Sequence, residues 1–436
     1  MTLRLPFSSL MRTADCLGPS ISIHPHPCVM RKSLFVFVAL AFLGTACREP
    51  SVTELPRLEL SFEPLALATA PESGEPNLAV RADGVVYASW IDPLEAGGHA
   101  LRFAVYDPED VSWSSPQTIA QGDDWFVNWA DVPSMAAGAD GHLAAHWLAR
   151  NGESTYAYGV LESRSTDEGK TWSTPQWMHE DTAAVEHGFA SMTPMDGGDV
   201  MAVWLDGWKY VTDEPGMTLR ARILRADGTQ APEVELDDLT CDCCPNATAP
   251  LPGGGVLAVY RDRSPDEIRD IYSVRFIDGA WGTPRRLAAD GWHIQGCPVN
   301  GPAVDTDAER AVVAWFTAAG DTAQVKMAFS EDAAATFGEP IRVDLGNPVG
   351  RVDAVLLADG SAFVTWIERG GAEEDAGILT RRVHPDGRMS EAVTVEATST
   401  ARASGYPRMV KTGNDLVFAW TRVSPEKQVV TAVARF

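Results

Sequence analysis

From residue 57 onward the apolar positions alternate with polar ones in short runs, and almost no stretch repeats at helical spacing. One unit recurs: an apolar segment, a turn such as Ala-Asp-Gly, and a short strand ending in an aromatic residue. Those aromatics are Trp90, Trp147, Trp204, Tyr260, Trp315, Trp366 and Trp420, 51 to 57 residues apart. A second alternating segment follows each (LRFAVY, YGVLESR, TLRARIL and their counterparts), then turn residues and a fourth short strand such as PQTIA or EPIRV. Four short strands per unit, punctuated by turns, predict an all-β β-propeller of four-stranded blades. The count predicts seven blades, or six if one repeat is irregular. A blade buries its faces only against its neighbours, so the ring must close. The seventh unit ends at Phe436 after three strands, and RLELSFEPLAL (57–67) is expected to supply the missing outer strand.

The first residues change the picture of where this ring works. From Met30, MRKSLFVFVALAFLGTAC has a basic start, a short apolar run and small residues before Cys47. The run is shorter than the ~20 residues a spanning helix needs, so it reads as an export signal. Residues 1–29 read as an over-extended start, 30–47 as the leader and 48–56 as a linker to a propeller over 57–436. The LGTAC ending resembles the leader of bacterial lipoproteins, which implies lipidation of Cys47 and anchoring to a bacterial membrane, on its periplasmic or extracellular face. Residues 1–47 carry four basic side chains and one acidic one, so the remainder of a chain of net charge −25 carries −28. That surface argues against nucleic acid and against direct binding to anionic membranes. The protein is expected to be a monomer held to the membrane by lipid alone.

STDEGKTW (165–172) carries a resemblance. It matches the Asp-box, Ser-x-Asp-x-Gly-x-Thr-Trp, of sialidases and related BNR-repeat proteins, with SEDAAATF (330–337) as a second copy that has Ala334 in the glycine position. The resemblance implies a propeller in which Ser165, Asp167, Gly169, Thr171 and Trp172 build the turn between the third and fourth strands. Asp167 is expected to bond the hairpin backbone, Gly169 to take a positive φ, and Trp172 to pack between blades. CDCCP, YRDRS and CPVNGP also resemble stretches of bacterial sialidase-like proteins. The early Phe/Tyr-Arg-Ile-Pro segment of sialidases is absent from the chain, so the resemblance implies the fold more directly than an activity.

Blade register then gathers the chemistry. In a four-stranded blade, the entry to each inner strand and the loop between strands two and three lie on one face. Counting back from each aromatic places Glu75, Asp131, His187, Cys244, Cys297, Arg351 and Tyr406 at the entries, with Trp129, Cys241, Cys243, Asn300 and Asp353 beside them. Cys241, Cys243, Cys244 and Cys297 therefore meet at two consecutive entries. They read as two structural disulfides, with Cys297 paired to Cys241 or Cys243, as a soft site for zinc or copper completed by His187 or His293, or as reactive thiols. YRDRS with DEIRD (260–270) reads as a solvated ion-pair loop or as a clamp in which Arg261 and Arg263, with Arg351, hold a carboxylate or other anion. His187 reads as a bonded core histidine or a ligand group, and Asp206 as a turn former or a catalytic carboxylate. Asp131, His187, Asn300 and Asp353 complete the candidate ligand set, with Tyr260 and Asp262 joining Asp206 as candidate catalytic residues.

Three functions follow as expectations. The first is a propeller binding a glycan or small anionic ligand on the cysteine-bearing face. The second is a sialidase-like glycoside hydrolase, which needs arginines, a carboxyl acid and a tyrosine beside a carboxylate. The third is a metal-binding or thiol-redox propeller built on the cysteines.

Overall fold

A computed structural model of the protein describes residues 60–371 and 375–436. The leader, Cys47, the whole linker and residues 57–59 of the expected closing segment lie outside the described residues. The rest forms seven antiparallel sheets arranged as the blades of a ring, and helical structure among the described residues is limited to five 3-10 turns of three or four residues.

Each blade runs outward in chain order. The inner strands are Gly74–Val80, Ser134–Ala137, His187–Pro194, Ala247–Leu251, Ala303–Asp307, Pro348–Leu356 and Arg408–Thr412. Blades 1 and 4 divide their outer strand, into Ser112–Trp113 with Gln117–Gly122 and Ala280–Trp281 with Arg285–Ala288. Blade 7 takes its outer strand from the start of the propeller: Phe62–Leu65 pairs with Gln428–Arg435, Phe62 opposite Ala434 and Leu65 opposite Thr431. The expected closure is thus present, and the expected count of seven holds.

The recurring aromatics explain why blades stack. All seven end up buried between sheets, because alternation on the second strand turns them toward the neighbouring blade. A buried indole needs a partner for its N–H. Trp90 donates to Asp92 (2.7 Å), Trp204 to Asp206 (2.9 Å) and Trp366 to Glu368 (2.6 Å), so the recurring Trp-x-acid pattern is a structural bond.

Both Asp-boxes fold as the motif requires. Asp167 accepts from the Thr171 N–H (2.9 Å) and hydroxyl (2.7 Å), Ser165 Oγ accepts from the Gly169 N–H (2.9 Å), and Trp172 packs edge-on to Phe103 of blade 1. Asp332 and Ser330 repeat these bonds, with Ala334 at φ 59°. Gly169, at φ 81°, has no such latitude, because a Cβ there would lie 2.5 Å from the Phe103 ring.

The inner strands surround a central channel of about 950 Å3. At the cysteine-bearing end its lining includes buried Ala130, Phe189 and Tyr406, on which Trp129, Cys243 and Val299 pack. Tyr406 donates to the Val299 carbonyl (2.7 Å) and lies parallel to Trp129. The entries converge as register predicts, but they form a packed cap over the channel.

Candidate functional site

Cys241, Cys243 and Cys244 follow the outer strand of blade 3 (Val234–Thr240), and Cys297 precedes the inner strand of blade 5. Cys243 and Cys297 form a disulfide across 54 residues, tying the entries of blades 4 and 5. Cys241 and Cys244 are free and fully buried, and the sulfurs of Cys241, Cys243 and Cys244 lie within 4.8 Å of one another. Arg269 donates to Cys241 Sγ at 3.2 Å. Burial pushes the Cys241 thiol up, but the Cys244 thiol, the Cys243 N–H and the guanidiniums of Arg261 and Arg269 outweigh it and bring the value to about 6. Burial, and the shared hydrogen bond with Cys241, raise Cys244.

The histidines expected to complete a metal set lie elsewhere. His187 is buried at the entry of blade 3, stacked on His179 at 3.9 Å with its Nδ1 3.2 Å from Asp206 Oδ1. His293 bridges to Ile268, and neither histidine belongs to the sulfur cluster. Asp206 is fully buried. Burial works against its ionisation, yet its carboxyl stays low through bonds from His187, the Trp204 indole and the Trp208 N–H.

The arginines are spent on backbone. Arg261 donates to the carbonyls of Asn300 (3.0 Å), Arg269 (2.7 Å) and Phe316 (2.6 Å), and lies over the Trp292 ring. Arg351 donates to the carbonyls of Ala401, Gly405 and Thr400 and stacks over Trp129 at 4.6 Å. Only Arg263 is half-exposed, bound to Asp242 (3.0 Å) and Glu267 (2.7 Å). Asn300 and Asp353 act as clips between blades: Asn300 Oδ1 accepts the Arg351 N–H (2.7 Å) and Asp353 the Met409 N–H (2.9 Å). Tyr260 is buried with its hydroxyl on Asp237, while Asp262 is half-buried and raised to about 7 by burial and by Asp237.

A different constellation carries more chemistry, and sequence reasoning found one member of it. Tyr158 opens the third strand of blade 2 (Tyr158–Ser165), and its hydroxyl lies 2.7 Å from Glu186 Oε1 and 3.0 Å from Asp131 Oδ2. Asp131 also accepts the Phe189 N–H at 2.7 Å, which fixes it at the entry of blade 2. One phenol proton serves one ionised carboxylate, so the second contact requires a protonated carboxyl. Burial accordingly lifts Asp131 to about 8 and, with Asp242 nearby, Glu186 to about 7. Such a set can donate and accept protons near neutrality.

Aromatic side chains flank this set. Phe126 stacks on Tyr158 at 4.0 Å and contacts Tyr156, which is 60% exposed. Tyr210, 43% exposed, donates to Asp242 (2.6 Å) from the 3-10 turn Trp208–Val211, whose preceding Gly207 bonds the Glu186 carbonyl. The signal for Tyr158 and Glu186 was available: Tyr156 and Tyr158 alternate at the mouth of a strand, and Glu186 adjoins an entry residue.

No protein-family model and no curated protein matches the chain. Among solved structures, an ulvan lyase of a new polysaccharide lyase family aligns over 84% of this chain and 96% of its own, at 13% identity and TM-score 0.51. The K499G mutant of the NanB sialidase from Streptococcus pneumoniae aligns over 84% and 93%, at 9% identity and TM-score 0.46. The microbial sialidase Hz136 aligns over 68% of this chain at 12% identity and TM-score 0.43, and the chain spans 63% of that protein's length. The likeness to the ulvan lyase is one of fold alone.

Proposed function

We propose that the protein is an exported propeller, lipid-anchored through Cys47, that binds a glycan on its cysteine-bearing face between blades 2 and 4. One observation carries the reading. Exposed Tyr156 meets Phe126, which stacks on Tyr158, exposed Tyr210 lies by the Gly207 that bonds the Glu186 carbonyl, and half-buried Glu186 shares the Tyr158 hydroxyl with Asp131. Flat aromatic faces with a few convergent polar groups suit a sugar ring, which offers apolar faces and hydroxyl edges. The ulvan lyase is bound to -[GlcA(1-4)Rha3S]-, which supports a saccharide as the ligand class. The arginines placed in an anion clamp are bonded to backbone or to acids, so hydroxyl recognition is favoured over a sialidase-type carboxylate clamp.

Screening the purified protein against an immobilised glycan panel, with calorimetry on the hits, tests this. Tyr156→Ala and Tyr210→Ala are expected each to weaken binding about 10-fold, which is ~1.4 kcal/mol. The reading fails if no glycan binds, or if both variants bind as the parent does. The hydrolase reading rests on the Asp131–Tyr158–Glu186 set and predicts release of a sugar from a bound glycan, lost in Glu186→Gln. Retention of the intact glycan sinks it and leaves binding standing.

A further inference from the structure

The two unpaired cysteines are not explained by glycan binding. They sit three apart (Cys241-Asp-Cys-Cys244), both fully buried, and each remains a thiol beside a disulfide that has consumed Cys243 and Cys297. Burial of this kind keeps water and hard oxygen ligands away. Among the described residues, no histidine, aspartate or glutamate offers a ligand atom to the group.

We propose that Cys241 and Cys244 form a two-thiolate site for a single soft monovalent cation, Cu(I), at the blade 4 entry. Three observations select that class. The sulfurs lie within 4.8 Å of each other, and an ion bridging two thiolates at metal–sulfur bonds near 2.3 Å holds them at most about 4.6 Å apart. Little movement is needed to load the site. Structural zinc asks for four ligands, and the disulfide leaves two, whereas soft thiolates select Cu(I). Finally, a Cu(I) bis-thiolate carries one net negative charge. Arg269, 3.2 Å from Cys241 Sγ, and the buried Arg261 guanidinium compensate it. Binding leaves the oxidation state unchanged: two Cu–S bonds form, and each sulfur that enters as a thiol breaks its S–H bond and releases that proton to solvent.

The site is tested with Cu(I) alone, presented anaerobically to the full chain in competition with a chromophoric Cu(I) chelator, without disulfide reduction. One equivalent is expected to leave the chelator and to raise the melting temperature. Cys241→Ser and Cys244→Ser should each abolish the transfer. Arg269→Met should weaken it by the ~10–100-fold typical of losing an outer partner. If the serine variants misfold, the parent still decides: copper loading must protect two thiols from alkylation, mapped by peptide mass to Cys241 and Cys244. Failure of the parent to take copper, protection elsewhere, or a Cys241–Cys244 disulfide in the isolated protein overturns the proposal. Stoichiometric zinc retention by the unreduced chain through the same two cysteines would overturn the assignment to a soft monovalent ion.

Discussion

The Tyr158 hydroxyl stands 2.7 Å from Glu186 and donates to it, and the same oxygen is 3.0 Å from Asp131. The set therefore stores a proton near neutrality. Asp131 at about 8 and Glu186 at about 7 lie above their ordinary range near 4, so the folded chain binds more protons than the unfolded chain between those limits. Stability contributed this way is greatest below about pH 4, near the unfolded values, and falls from there until pH 7–8, by up to ~1.4 kcal/mol per unit for each group. Asp131→Asn keeps an acceptor for the Phe189 N–H and removes one titration. Urea melts at pH 5 and pH 8 should show a loss in the parent that is larger than in the variant by up to about 4 kcal/mol. Parallel pH profiles would refute the shared proton.

The Cys243–Cys297 bridge closes a long loop between adjacent blades. Chain-entropy reasoning gives it about 4 kcal/mol for a loop of this size. Cys297→Ser should lose most of that under oxidising conditions and differ little from the parent once both are reduced. An equal loss in both conditions would assign the effect to packing at the entry.

The two Asp-boxes predict opposite sensitivities. Gly169→Ala places a methyl against the Phe103 ring at a positive φ, and should cost about 2–3 kcal/mol through strain and overpacking. Ala334→Gly relieves a left-handed alanine but removes a buried methyl, so its change should stay within about 1 kcal/mol of zero. Thermal melts of the two single variants, with a large loss at Ala334 or none at Gly169, would contradict the structural reading.

Ring closure predicts the largest single effect. Deleting residues up to 68 leaves Gln428–Arg435 unpaired along its outer edge and uncovers the apolar side chains beneath Leu65. Loss of cooperative unfolding, or a melting temperature lower by about 10 °C or more, is the expected outcome for a domain of this size. An unchanged melt would mean that the strand is dispensable.

What was legible in the sequence is what repetition reports. Trp90 through Trp420 mark the second strands because a period of about 55 residues survives local variation, and Ser165–Trp172 fixes the turn chemistry. The same counting placed Cys243 and Cys297 side by side and left Cys241 as an alternative partner; only three-dimensional placement separates neighbours two residues apart. Side-chain direction was not legible. Arg261 and Arg351 have the composition of an anion clamp, yet each guanidinium turns inward onto backbone carbonyls, most of them from later blades. Apart from that of Arg269, eight positions from Arg261, those carbonyls belong to residues 39 to 55 positions away, so no local pattern announces them. Asp206 has the bond of a turn former, accepting the Trp208 N–H, and also accepts the Trp204 indole N–H two residues back.

The pairing of Phe62–Leu65 with Gln428–Arg435 also sets a timetable. The first strand of the propeller to be synthesised has its partner in the last, so it must wait through the making of every other blade. During that interval it is an unpaired edge, and a nascent chain can stack six blades without becoming a ring. The ring therefore closes only once Gln428–Arg435 is in place, and losing that strand would strand the beginning of the propeller as surely as deleting it.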